Sequence, residues 1–71
     1  MISAMVVDDF LKLDKGNTLY KLIDASVPGY MTNHVTICEY SDRNVIRSNY
    51  GTKLIVGFTA GGKNKIHLYV V

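Results

Sequence analysis

The end of the chain restricts the fold most. Lys53–Phe58 (KLIVGF) and Lys65–Val71 (KIHLYVV) are dense apolar runs separated by Thr59–Asn64 (TAGGKN). Two such runs around a glycine-rich loop predict a β-hairpin. In the last run Ile66, Leu68 and Val70 share one face, while Tyr69 and Val71 make the other face apolar too. A solvent-facing strand carries polar residues on its wet side. No charged side chain follows Lys65, so as a sheet edge this strand is poorly guarded against another chain. The expectation is that the N-terminal helix or a second copy covers it. In the latter case two final strands pair about a two-fold axis, giving a homo-oligomer with Tyr69 and Val71 in the contact.

The remainder reads as more short elements. In residues 4–13 (AMVVDDFLKL), Val6, Phe10 and Leu13 form one helical stripe with Val7 and Leu11 beside it. Ser3 is a candidate N-cap, Asp8 and Asp9 suit early helical turns, and Gly16 ends the pattern. Thr18–Asp24 (TLYKLID) fits helix or strand; the turns on either side, Asp14–Asn17 and Val27–Gly29, favour a strand. Residues 33–40 alternate, with Val35 and Ile37 opposite His34, Thr36, Cys38 and Tyr40. Ser41–Asn44 reads as a turn, Val45–Ser48 as a strand and Asn49–Gly51 as a turn. The fold class expected is mainly β: one domain over 1–71, a small five-stranded antiparallel barrel with a short N-terminal helix. Phe10, Leu22, Ile37, Leu54, Val56 and Ile66 are the expected core. A monomer of 71 residues buries so little surface that its stability is marginal.

Several functions are disfavoured. The single Cys38 cannot form an intramolecular disulfide and suits a reducing compartment. No apolar run reaches the roughly 20 residues that span a bilayer, and the start lacks a signal-peptide pattern. The expectation is therefore a soluble cytoplasmic protein without membrane contact. His34 and Cys38 on one strand would stand ~13 Å apart, too far to share an ion. Neither a metal nor another cofactor is expected. Cys38, Asp24 and the two histidines occur without a motif that would assemble a nucleophile, so no enzyme activity is expected.

Charge is unevenly distributed. All six acidic residues lie in residues 1–42, whereas residues 43–71 carry Arg43, Arg47, Lys53, Lys63 and Lys65. One reading is that the halves pair across the folded sheet. Another is a nucleic-acid surface in which Arg43, Arg47 and Lys53 meet phosphates and Tyr40, Tyr50, Tyr69 and His67 stack on bases. A third uses Gly61, Gly62, Lys63 and Lys65 as a loop for a small anion or nucleotide, although the Walker spacing is absent. The same glycines equally serve a plain hairpin turn.

Residues 9–20 (DFLKLDKGNTLY) resemble the opening of small phage and bacterial SH3-like β-barrel proteins: an acidic-aromatic helix, a Leu-x-x-Gly turn, then a strand bearing Tyr. The resemblance implies that Phe10 and Leu13 plug one end of a barrel, that Gly16 takes the turn, and that Tyr20 faces its neighbours. It also brings in a phage setting, with the host cytoplasm as the compartment. Proline-peptide grooves of SH3 domains use Trp, and this chain has none. The function expected is a small interaction protein that binds and modulates or inhibits a host or defence protein. Its contact residues are expected to be Tyr40, Tyr50, His67, Tyr69 and Val71, because tyrosine offers large contact area at low entropic cost.

Overall fold

The structure, a computed structural model, describes residues 5–71. Its elements are β1 (Met5–Val6), α1 (Val7–Leu11), β2 (Leu19–Asp24), β3 (Thr36–Ser41), α2 (Arg43–Tyr50), β4 (Leu54–Gly62) and β5 (Lys65–Val70). The strands form one sheet in the order β1-β4-β5-β2-β3. The strand that the flanking turns predict over residues 18–24 is present as Leu19–Asp24.

The architecture follows from two central strands that are apolar on both faces. On one face Tyr20 and Leu22 of β2 meet Leu68 and Val70 of β5, and Val7, Leu11 and Ile46 close over them from the helices. On the other face Ile23 lies beside Tyr69 in register, and both are buried. Residues 25–35 strap across that second face, with the Tyr30 ring 5.4 Å and the His34 ring 5.7 Å from Tyr69.

Three expectations are corrected. First, the sheet is open, with β1 and β3 at its edges, and it is mixed: β2 and β5 pair in parallel, whereas the other pairs are antiparallel. The closed antiparallel barrel does not form because α2 carries the chain from β3 across one face to the far side of the sheet. β5 then turns back from β4 into the gap beside β2 and runs in the same direction. Second, β5 is flanked by β4 and β2 rather than lying at an edge. Its two apolar faces are covered within the chain, and two-fold pairing of final strands has no exposed edge to use.

Third, residues 43–50 are helical, where a turn and a strand were expected. The Asp42 carboxylate accepts hydrogen bonds of 3.0 Å from the Asn44 and Val45 N–H groups, capping α2. Only Ile46 is fully buried, and Tyr50, one turn later, packs beside the core. Val45 remains 44% exposed, so the Val-Ile pair is not a two-faced strand core.

At the other end α1 is shorter than residues 4–13 suggest. Its N-cap is Val6, and the candidate cap Ser3 lies outside the described residues. Leu11 is the buried plug, while Leu13 is 75% exposed. Gly16 does take the turn, with φ of 97° and its N–H bonded to the Asp14 carboxylate at 2.9 Å. Of the expected core, Leu22 is fully buried and Phe10, Ile37 and Ile66 pack against the cluster. Leu54 and Val56 are 40% and 49% exposed, because α2 lies across β2 and β3 and leaves β4 open.

Candidate functional site

Among the described residues, two surfaces gather side chains or backbone groups that the buried core does not use. The first is the face under the strap. Alternation along β5 puts Lys65, His67 and Tyr69 on that side. Lys21 stands beside His67 in the parallel register, and Thr59 opposes His67 across the hairpin. On β3 four residues, Cys38 to Ser41, stand opposite three, Leu22 to Tyr20, and this irregularity brings Tyr40 over to the same side. The Tyr40 hydroxyl and His67 Nε2 share a hydrogen bond of 2.5 Å. The His34 ring meets His67 edge-on at 5.9 Å, and its Nε2 lies 3.5 Å from the Tyr69 hydroxyl, which also meets Thr59 at 3.3 Å.

Burial pushes the His67 imidazole below the usual histidine range, and Lys21 and then His34 push it further in the same direction. The sign is therefore set. An unfolded chain takes up this proton near pH 6.5, and the folded chain does so only at lower pH. The contribution of His67 to stability is complete above pH 6.5 and declines as pH falls below it. The melting temperature is expected to drop between pH 7 and pH 5, and His67→Gln is expected to flatten that drop. Parallel pH profiles for the two proteins would contradict this assignment. Asp8 and Asp24 also have lowered values, but they titrate below 3.8 and stay outside this window.

The second surface is the outer side of β4. β1 pairs only with Leu54 and Ile55. Among the described residues, nothing pairs with β4 on that side from Val56 to Gly62. This stretch carries no charged side chain, and Phe58 is 64% exposed with its ring edge-on to Phe10 at 5.8 Å.

The expected site residues separate. Tyr40, His67 and Tyr69 converge under the strap, but Tyr69 is only 4% exposed. Tyr50 packs at the end of α2, and Val71 lies against Leu54 through two backbone hydrogen bonds of 3.0 and 3.3 Å. The basic group is divided as well. Arg47 Nε donates to the Asp8 carboxylate at 2.6 Å and holds it below the usual carboxylate range. The Arg43 guanidinium donates to the Asp14 carbonyl. Lys53 sits half-buried at the start of β4, where its carbonyl accepts from the Val7 N–H at 2.8 Å. The acidic and basic halves therefore meet at one partly exposed ion pair, Arg47–Asp8, while Arg43 is held by a backbone carbonyl. In an open depression beside Asp8 and Arg47 the two charged groups already neutralise each other. Gly62 and Asn64 adopt φ of 138° and 58°, so the glycine-rich segment closes as a tight turn with Lys63 at its tip. Phe58 was missed by sequence reasoning, which assigns Leu54 and Val56 of KLIVGF to the core and gives Phe58 no role; only the sheet order, with β4 beside the edge strand, exposes it.

Among the described residues, no helix is long and apolar enough to cross a membrane. Comparison with protein-family models, with curated proteins and with solved structures finds no match.

Proposed function

We propose that this is a small interaction protein that binds and modulates a partner protein by accepting an extended segment of that partner along β4. One observation carries the reading: the side of β4 from Val56 to Gly62 is unpaired among the described residues, has no charged gatekeeper, and presents Phe58 to solvent. Unpaired strand N–H and C=O groups supply affinity to any extended chain, and alternate side chains supply selectivity. Lys53 and Lys63 stand at the two ends of this edge and residues 43–71 contain no acid. The fitting partner is thus an apolar strand flanked by carboxylates. The likeness of residues 9–20 to SH3-like phage and bacterial proteins adds a host or defence protein as the partner and inhibition as the outcome. A second copy of the chain is the alternative occupant of the same edge, and sedimentation at tens of micromolar separates that case.

Phe58→Lys tests the reading. It places a charge on the open strand without touching the fully buried cluster. Partner capture from host lysate at 300 mM salt is expected to fall by roughly thirtyfold or more, as for loss of an aromatic anchor worth about 2 kcal/mol. The melting temperature is expected to change little. Undiminished capture by the variant would remove β4 as the contact.

A further inference from the structure

Lys21, Lys65, Tyr40 and His67 form a group that neither the core nor the β4 edge requires. Lys21 Nζ lies 5.7 Å and Lys65 Nζ 5.0 Å from the centre of the same Tyr40 ring. Two ammonium groups drawn to one ring repel each other, and the ring quadrupole compensates only part of that cost. Glu39 is the carboxylate in contact with Lys21, but it is 77% exposed and 3.9 Å away. The Tyr40 hydroxyl is held by His67 Nε2, so the ring is fixed in place near both cations. Gly61 makes this arrangement fit. A Cβ there would come within 2.7 Å of both the His67 ring and the Tyr40 hydroxyl. It sits at the irregularity between Ala60 and Gly62, where β4 comes closest to the two rings.

We infer that this cluster is a binding site for a phosphate group, with Lys21 and Lys65 as its cationic arms and the Tyr40 and His67 rings as its floor. Two ammonium groups balance the charge of a phosphate, and flat rings beside them suit a ligand that carries a base. The chemistry is shared by free polyphosphates, nucleotides and the backbone of single-stranded nucleic acid. It relocates anion binding from the turn at Lys63 and Asn64 to the sheet face behind it. The site is independent of the β4 edge and stands whether or not a partner strand binds there.

The test is a backbone NMR titration with inorganic pyrophosphate and, separately, with a short oligothymidylate. Saturable shifts are expected at Lys21, Tyr40, Gly61, Lys65 and His67. Affinity should fall about tenfold or more in the double variant Lys21→Ser, Lys65→Ser, and much of it should be lost on raising salt. Glu39→Gln is expected to tighten binding, because it removes the carboxylate that competes for Lys21. That gain survives as a readout if the double variant folds poorly. Tighter binding of the oligonucleotide than of pyrophosphate assigns the site to nucleic acid, and the reverse order assigns it to small phosphates. Absence of shifts at millimolar pyrophosphate and with the oligonucleotide would overturn the inference. So would shifts that persist in a folded double variant, or unchanged affinity in Glu39→Gln.

Discussion

Leu68→Ala is expected to bring the chain to the brink of unfolding under conditions where the wild type is folded. Leu68 is fully buried on the central strand β5, in the cluster that also holds Leu22, Ile46 and Val70. Truncating a leucine in such a place costs about 2–5 kcal/mol, the lost transfer energy plus a cavity that the neighbours cannot fill. A single core in a domain this small supplies only about 3–5 kcal/mol in total. Leu54→Ala is the control: at 40% exposure its loss should cost about 1 kcal/mol or less. Urea titration of the two variants decides the matter. Equal midpoints would mean that β4, not β5, lies at the centre of the sheet.

The next largest effect is expected at Gly51, the C-cap of α2. A Cβ at this position would stand 2.6 Å from the backbone carbonyl oxygen of Arg47 and 3.5 Å from Cβ of Asp8. A backbone oxygen cannot swing aside as a side-chain tip can, so the last turn of α2 has to move. That turn also anchors the first helix: the Gly51 carbonyl accepts from the Asp8 N–H at 2.9 Å, and the Arg47–Asp8 ion pair spans the same junction. Overpacking of this kind costs about 1–3 kcal/mol, which lowers the melting temperature of a domain this size by roughly 5–20 °C. Thermal unfolding of Gly51→Ala measures it directly. Gly57→Ala is the comparison, since a Cβ there meets only ordinary contact, 3.6 Å from the Tyr69 ring.

Much of the local structure is legible in the residues. The turn at Gly16, the strand at residues 19–24 and the hairpin from Leu54 to Val70 follow from apolar alternation and from glycine placement. The helix over residues 43–50 was also written there, in Asp42 as a cap, Ile46 and Tyr50 one turn apart, and Gly51 as a stop. It reads as a turn and a strand because Ser-Asp-Arg-Asn suits both a turn and a cap, and because Val45 and Ile46 are β-branched. Local propensity is nearly balanced at that point. What tips it is the burial of Ile46 in the cluster that holds Leu22 and Leu68, residues far away in the chain.

Strand order is a different kind of information. KIHLYVV declares that both its faces must be covered, and that follows from side-chain chemistry alone. Whether a second chain, a helix or a strap provides the cover depends on which strands flank it, and pairing partners leave no local imprint on a strand. Only the tertiary structure places β5 between β4 and β2 and the Tyr30–His34 strap over Tyr69. The same arrangement leaves Phe58 64% exposed beside a strand side that is unpaired among the described residues, and gathers Lys21, Tyr40, Lys65 and His67 from three strands onto one face. Side-chain chemistry alone thus yields the strands and their need for burial, but not α2. The tertiary structure decided which faces met, because a mixed sheet is held together by contacts between residues far apart in the chain.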